Sequence, residues 1–237
     1  MIKQSYVRNR SFASLICIFT IFLTTISAQN ELNGFDNNGE RHGVWTKYFE
    51  GTNQPRYTGK FNHGKEIDTF KFYTLSNKKS VLSAVKVFNA ENNLADVKFL
   101  TSYGKIISQG QMDGKKYIGE WVYFHKSSKT IMTTENYNDD GNLDGPRKVF
   151  YKNGKLAEEA VYKDGKLHGT SKWYTDSGGL LRTSEYKNDK LHGDSVFYDT
   201  EGRIATLGEY KADKRVGRWT YYKEGKVVKV EDLGDGD

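Results

Sequence analysis

The sequence has little cysteine, little proline and only one long apolar run, and each shortage excludes a class of protein. Its 237 residues include one cysteine, Cys17, and two prolines. A single cysteine excludes a disulfide-stapled domain and a cysteine-based zinc site. The chain also lacks a glycine-rich phosphate loop, a G-x-S-x-G elbow, an H-E-x-x-H pair and a D-x-D-x-D calcium loop. The usual sequence signatures of nucleotide binding, ester hydrolysis and metal-dependent chemistry are therefore missing.

The one apolar run belongs to a stretch that is typical of a secretory signal. Lys3, Arg8 and Arg10 precede apolar residues from about Phe12 to Leu23, and the small residue Ala28 stands where a signal peptidase cuts. The run is shorter than the roughly 20 apolar residues of a membrane span, which favours cleavage over an uncleaved anchor. We expect residues 1–28 to be removed near Ala28, and residues 29–237 to form one repeat domain in an exported protein. Its location would be the periplasm, the outer membrane or the outside of the cell.

Removing this stretch changes the electrostatics of the chain. The formal charge falls from +6 to +3, because the stretch contains three basic residues and no acidic ones. The modest remaining charge does not favour nucleic acid as a partner.

The rest of the chain is an internal repeat. Each copy has an anchor residue, usually glycine, and successive anchors are 24 to 27 residues apart. The anchors are Gly43, Asp68, Ala95, Gly119, Gly145, Gly169, Gly193 and Gly217. The second and third copies are the least regular, and the eighth is incomplete. Because the copies cover nearly all of residues 29–237, we expect no second domain.

Each copy has two halves with the alternation of a β-strand. Large side chains stand two, four and five residues after the anchor, as in Trp219, Tyr221 and Tyr222. Positions two and four share one face of a strand, and position five points to the other. In the second half a small residue, such as Gly208, stands two residues before a tyrosine and leaves room for a neighbouring ring. Gly, Asn and Asp between the halves predict tight reversals.

This pattern predicts an all-β fold. We expect an elongated, single, twisted sheet of tandem β-hairpins, with about eight copies of about 24 residues. No helical periodicity competes with it. Such a sheet has little conventional core, so ladders of aromatic side chains between copies would stabilise it.

The residues resemble a known repeat family. The pattern G-x-W-x-x-Y, a turn glycine, an aliphatic residue, a small residue and Tyr, then D/G-K-x-x-G, is similar to the MORN repeat (membrane occupation and recognition nexus). It is most similar to the bacterial variant of YwqK-type antitoxin proteins. The best copies begin at Gly119, Gly169, Gly193 and Gly217, and the resemblance covers about residues 34–230. It implies an elongated β-hairpin array, and protein scaffolding, toxin neutralisation or lipid-surface contact as roles.

Aromatic residues on both faces of a single sheet predict an exposed binding surface. Contiguous apolar patches mark partner sites, and tyrosine is favoured at binding hot spots. The candidates on one face are Tyr174, Tyr198 and Tyr222, each five residues after its anchor. They would bind a protein or an extended polymer, unless their role is only structural.

Basic residues are the second set of candidates. Lys163, Lys187 and Lys211 lie in turns that should line one long edge of the sheet. They would either keep that edge soluble or meet an acidic partner or an anionic membrane surface. Arg147 replaces the tryptophan of other copies and would cap a row of rings by a cation–π contact or touch a partner.

Neither a metal site nor a catalytic site is predicted. His42, His168 and His192 occupy the same repeat position. Neighbouring copies place His168 and His192 about 10 Å apart, His42 lies five copies away, and no third ligand is evident. Glu158 and Glu159 are adjacent in one strand and should point to opposite faces, which makes them a poor acid–base pair. We therefore expect no enzymatic activity and no cofactor.

Taken together, these features indicate an exported bacterial scaffold that mediates protein–protein interaction at the cell envelope or outside it. One alternative is an antitoxin-like or immunity protein that binds and neutralises a toxin. A lipid- or carbohydrate-binding surface is the second alternative. The edge strands of the sheet could also pair into oligomers.

Overall fold

The computed structural model describes residues 32–89, 91–126 and 128–235. All regular structure in these residues is β-strand, and the predicted signal stretch lies outside them. The strands are β1 Gly34–Phe35, β2 Arg41–Tyr48, β3 Pro55–Asn62, β4 Lys65–Ser76, β5 Lys79–Phe88, β6 Leu94–Leu100, β7 Ile106–Asp113, β8 Lys116–Phe124, β9 Ile131–Tyr137, β10 Gly145–Phe150, β11 Leu156–Lys163, β12 Lys166–Leu167, β13 Gly169–Tyr174, β14 Leu180–Lys187, β15 Lys190–Tyr198, β16 Ile204–Lys211, β17 Lys214–Lys223 and β18 Lys226–Asp232.

The strands form one open antiparallel sheet in chain order, which confirms the predicted array of tandem hairpins. Pairing runs from β1–β2 at one end to β17–β18 at the other. Sixteen of the 18 strands are the two halves of the eight copies, and the eighth copy has both of its strands although its sequence looked incomplete. The other two, β1 and β12, are two-residue segments, and β11 pairs with both β12 and β13. No helix long and apolar enough to cross a membrane occurs in the described part of the chain.

The turns between copies are tight because two successive residues adopt the left-handed conformation. The φ angles are +48° and +80° at Asp164 and Gly165, and +50° and +72° at Ala212 and Asp213. This pair of positive φ values is the geometry of two-residue hairpin turns, whose twist matches that of the strands. Each turn also contacts the preceding copy, since the Asp213 carboxylate accepts a hydrogen bond from the Leu191 N–H at 2.8 Å. The turns therefore join neighbouring copies as well as reversing the chain.

The anchor glycine makes a bulge. At the last copy, Leu207 pairs with Thr220 and Glu209 pairs with Val216, so three residues from Gly217 stand opposite Gly208 alone. Gly217 has φ +59°, a conformation that costs glycine little. The anchor of the second copy, Asp68, also has φ +59°, and aspartate is one of the residues that tolerates it. The anchor Ala95 has no positive φ, and its ladder with β5 is regular.

A second bulge lies between the fourth and fifth residues after every anchor. It occurs at Lys47/Tyr48 in the first hairpin and at Tyr221/Tyr222 in the last. The same break recurs in the six hairpins between them. Because side chains alternate along a strand, the sequence predicts that the fifth residue after each anchor lies on the opposite face. This bulge interrupts that alternation.

The conventional core is small, as predicted. The buried hydrophobic residues in the described chain are Phe61, Phe70, Ala84, Ala95, Val97, Met112, Trp121, Ala160, Val216 and Trp219. Of the residues that the structure describes, Ala95, Val97, Met112 and Trp121 form a compact cluster. Between copies, rings pack edge to face, with centroids 5.1 Å apart for Phe61 and Phe70. Such ring pairs add about 0.5–1.5 kcal/mol each beyond the area that they bury.

Candidate functional site

The face that carries the second residue after each anchor is called the aromatic face here. Its buried rings lie directly on glycines of the preceding copy. A Cβ added at Gly208 would be 2.2 Å from Trp219 Cδ2, and one added at Gly110 would be 2.6 Å from Trp121 Cδ2. The indole N–H of Trp219 also donates to the Glu209 carbonyl at 3.2 Å. The predicted role of the small residue is confirmed at Gly208, and these rings are structural rather than available to a partner.

In the central copies the same position is occupied by small residues. Ser171 lies across the ladder from Ala160 of the preceding copy, and Ser195 lies across from Ser184. All four are buried, and the Ser195 hydroxyl donates to the Ser184 hydroxyl at 2.7 Å. Arg182 packs beside them, since its guanidinium lies 4.8 Å from the Trp173 centroid and its Nε donates to the Ser184 hydroxyl at 2.7 Å. The aromatic face is therefore packed by two different means along its length.

Arg147 belongs to an ion-pair network within the aromatic face. Its Nε lies 3.2 Å from Glu135 Oε1, and its Nη1 lies 3.5 Å from Glu158 Oε2. About three quarters of the Arg147 side chain is covered, its exposed fraction being 25%. The predicted cation–π cap is wrong, because no ring lies beneath its guanidinium among the described residues and carboxylates take that place. The Arg147 charge is thus already used inside the fold.

Two tyrosines extend this network. Tyr137 donates to Glu135 Oε2 at 2.7 Å, and its hydroxyl lies 3.4 Å from that of Tyr123. Burial raises the pKa of Tyr123 to about 12, and burial together with the neighbouring Tyr123 and Glu135 raises the pKa of Tyr137 as well. Both phenols therefore stay protonated far above neutral pH and act as hydrogen-bonding groups of the fold.

The three predicted binding tyrosines are only partly exposed. Tyr174, Tyr198 and Tyr222 are half-buried, and each stands at the second bulge of its hairpin. The Tyr174 carbonyl accepts a hydrogen bond from the Tyr151 hydroxyl at 2.7 Å, which ties this position to the preceding copy. Their role as a binding face stays a prediction.

The predicted lysines lie together along one edge. They form three cross-strand pairs in the turns between copies, and we call this set the lysine edge: Lys163 with Lys166, Lys187 with Lys190, and Lys211 with Lys214. All six residues are exposed. Within the described residues none of them has an ion-pair partner, and the Lys211 ammonium contacts only the Asp235 carbonyl, at 3.4 Å. Like charges placed directly opposite in a ladder repel one another, so this arrangement costs stability.

Carboxylates of the same turns are held by the backbone. Asp189 Oδ1 accepts from the Leu167 N–H at 2.8 Å, and Asp213 Oδ1 accepts from the Leu191 N–H at 2.8 Å. They are fixed between the lysine pairs rather than bonded to them. The lysine edge thus carries exposed ammonium groups that alternate with carboxylates held by the backbone.

The face opposite the aromatic face has a groove in the least regular copies. The groove lies across β5 to β8 and has a volume of about 610 Å³. Val85, Val87, Ile118 and Val122 contribute aliphatic surface, and polar side chains surround them. The feature of the sequence that coincides with this groove is the irregularity of copies two and three.

The repeated histidines differ in their surroundings. His42 lies close to His63, with ring centroids 4.9 Å apart, and His63 Nδ1 lies 2.6 Å from Asp36 Oδ2. The Glu40 N–H, helped by His63, lowers the pKa of Asp36. His192 is also exposed, but in its copy the turn position of His63 is occupied by Ala212. Sequence reasoning missed this cluster, because His63 occupies a turn and Asp36 precedes the first anchor.

The residues considered for catalysis have structural partners. Glu158 pairs with Arg147, while Glu159 lies 3.6 Å from Lys148 Nζ, which places the two carboxylates on opposite faces as predicted. His125, which departs from the repeat, lies 2.9 Å from the Phe150 carbonyl through Nε2. No acid–base pair is assembled from these residues.

These features define the chain as a single-sheet β-hairpin repeat protein. Residues 143–164 and 167–188 match the family model described as a MORN repeat variant. Residues 143–164 and 167–188 therefore carry MORN-type repeats, as the sequence predicted, and such repeats generally form non-enzymatic scaffolds for protein or membrane interaction.

The other comparisons add little. No curated protein matches the chain. Among solved structures, it is similar to a porin-like protein from Bacteroides uniformis at 9% identity, over 78% of this chain and 92% of that one. The TM-score is 0.19, which supports no conclusion about fold or function.

Proposed function

We propose that this protein is an exported, non-enzymatic scaffold that binds an acidic protein partner along the lysine edge. The observation that carries the proposal is the set of three exposed cross-strand lysine pairs, which have no ion-pair partner among the residues that the structure describes. Because the arrangement costs stability in the free protein, a partner that supplies carboxylates would relieve it.

The fixed carboxylates favour a protein over a membrane. A uniformly anionic bilayer attracts the lysines but repels Asp189 and Asp213, which cannot move away because they hold backbone N–H groups. A protein surface can place acids and neutral donors in register with pairs that recur every two strands, about 10 Å apart. Charge patterning of this kind sets specificity and association rate.

Export is part of the proposal and rests on the sequence of residues 1–28. Expression from its own amino terminus in a Gram-negative host should give a mature chain that begins near Gln29 and is recovered outside the cytoplasm. Intact mass measurement of the fractions tests this, and an uncut chain in the cytoplasm would contradict it. A partner that is a toxin would make this scaffold an immunity protein.

The binding proposal is tested with three charge removals on the lysine edge. The variant Lys163→Gln/Lys187→Gln/Lys211→Gln should lose most of its binding to poly-L-glutamate and to partners captured from envelope fractions. The matched control is Lys152→Gln/Lys223→Gln/Lys226→Gln, which removes three exposed lysines from turns on the opposite edge. The control should bind as the wild type does.

Two further arms separate the alternatives. Wild-type binding should weaken as salt rises from low to physiological concentration, because exposed charges are screened beyond about 8–10 Å. Flotation with vesicles containing anionic or only neutral lipids tests the membrane alternative directly. Equal binding by both triple variants would refute the lysine edge as the contact surface, and flotation that depends on the edge and on anionic lipid would replace the protein partner with a membrane.

A further inference from the structure

The structure brings together three metal-ligating side chains at the first copy. Asp36 follows β1, His42 lies in β2 just before the anchor Gly43, and His63 lies in the turn between β3 and β4. Each offers one ligand atom, and these atoms lie within 4.8 Å of one another. The three residues come from separate elements that meet only in the folded sheet.

The carboxylate of this cluster is held in place by the backbone. Asp36 Oδ1 accepts from the N–H groups of Asn38 and Glu40, both at 2.9 Å. The Asp36 side chain is 8% exposed, and its Oδ2 is the atom that faces His63 at 2.6 Å. One oxygen is thus used by the turn, and the other points to the histidine side of the cluster.

The two histidines are placed by the repeat architecture. His63 has φ +46° and is the first central residue of a tight turn, and the next residue donates from its N–H to the Arg41 carbonyl at 2.9 Å. This contact fixes the turn beside β2, where the His63 N–H also approaches His42 Nδ1 at 3.5 Å. Both imidazoles are exposed and can rotate.

The first copy is unique in this respect. The residues that correspond to His63 in later copies are Asp164, Asn188 and Ala212, so His168 and His192 have no second imidazole to meet. The histidine before the anchor recurs in several copies. Among the described residues, the first copy alone adds Asp36 and His63 as further ligands. An ion pair alone accounts for Asp36 and His63, and the contact of His42 Nδ1 with the His63 N–H is long at 3.5 Å.

We propose that Asp36, His42 and His63 bind one divalent transition-metal ion, for which Zn²⁺ is the best chemical fit. Two imidazoles and one carboxylate, with a fourth position open to water, form a ligand set that zinc accepts. Bonds of about 2.0–2.2 Å in a tetrahedron separate ligand atoms by roughly 3.3 Å, so small rotations of the exposed rings complete the site. The ion would clamp the β3–β4 turn and the β1 turn onto β2.

The test is a zinc titration of the purified, chelator-treated chain in competition with a chromogenic indicator. Wild type should bind one equivalent of Zn²⁺ reversibly, and Co²⁺ should give the visible bands of a four-coordinate ion. His42→Ala should weaken Zn²⁺ binding by at least about tenfold, since it removes a direct ligand. His192→Ala removes the repeat-equivalent exposed histidine and should change nothing.

A second variant protects the test against misfolding. His63→Asn keeps a residue that occupies the same turn position with φ +50° at Asn188, so the turn should persist while the imidazole is lost. Thermal melts without metal should match those of wild type, and added Zn²⁺ should raise the melting temperature of wild type alone. No saturable zinc binding, or equal affinity in wild type and His42→Ala, would overturn the proposal and leave a simple Asp36–His63 ion pair.

Discussion

Two regions of the aromatic face solve one packing problem in different ways. A glycine of copies one, three and seven lies under a ring of the next copy, as in Gly59–Phe70, Gly110–Trp121 and Gly208–Trp219. In copies five to seven the pairs are Glu135–Arg147, Ala160–Ser171 and Ser184–Ser195. A ring on a glycine, two small residues, or an ion pair can thus occupy the same place in the sheet. The unit that the fold requires is therefore the pair across two copies, rather than either residue.

The largest expected effect is from adding a methyl group under a ring. Gly208→Ala would place a Cβ 2.2 Å from the Trp219 ring, and the free energy of unfolding should fall by about 1–3 kcal/mol. Ser184→Ala, at the equivalent place beneath Ser195, creates no clash. It removes the acceptor of the Ser195 hydroxyl and of Arg182 Nε, and should cost about 1 kcal/mol. Urea denaturation measures both.

The same pair gives a stricter test of coupling. Gly208→Ala/Trp219→Ser copies the Ala160–Ser171 pair of the central region. Its cost should be smaller than the sum of the two single costs, by about 0.5–3 kcal/mol. Additive costs would show that the residues are independent.

A smaller effect is expected where charge replaces packing. Arg147→Met leaves the half-buried Glu135 and Glu158 carboxylates without their guanidinium partner. The cost should be about 1–2 kcal/mol, because Glu135 keeps the hydrogen bond that the Tyr137 hydroxyl donates. Conversion of the pair to the end-region type, Glu135→Gly/Arg147→Trp, should be more stable than Arg147→Trp alone, because the ring then meets no glutamate side chain. Denaturant melts of the three variants decide this, and equal stability of the two tryptophan variants would contradict the pairing.

The smallest effect is a dependence on alkaline pH confined to the charged region. Folding raises the pKa of Tyr123 to about 12, whereas an unfolded tyrosine ionises near 10. Between these values the unfolded chain loses the proton first, so stability is fully present below about pH 10 and falls as pH rises through about 12. Tyr137 shifts in the same direction.

Stability curves and phenolate absorbance in this range test the shift. Tyr123→Phe/Tyr137→Phe should remove most of the excess loss of stability. An unchanged pH profile in that variant would assign the loss to other groups.

The comparison also shows what could be read from the sequence. The glycines and the Asn and Asp residues of the turns predicted hairpins, because tight reversals need left-handed residues, and the structure confirms them at Asp164 and Asp213. The partner of Arg147 was not found, since Glu135 stands 16 residues after its anchor, whereas Ala160 stands 15 after its own. That one-residue difference removes Glu135 from the periodic pattern.

The cluster at Asp36, His42 and His63 was missed for a related reason. Periodicity identifies what copies share, whereas this cluster depends on what the first copy alone contains. Residues that meet across the ladder at a bulge are also separated by register shifts that no fixed spacing describes. Spacing along the chain therefore does not reveal the pair contacts between copies.

Because of the two-residue turns, the length of the sheet depends directly on the number of copies. Each turn reverses the chain and holds the copy before it, so one 24-residue unit is self-contained at both of its junctions. Duplicating or deleting such a unit lengthens or shortens the sheet by two strands, about 10 Å, without a new loop. The distance between the histidine end and the lysine edge is therefore set by copy number alone, a quantity that a single recombination event can change.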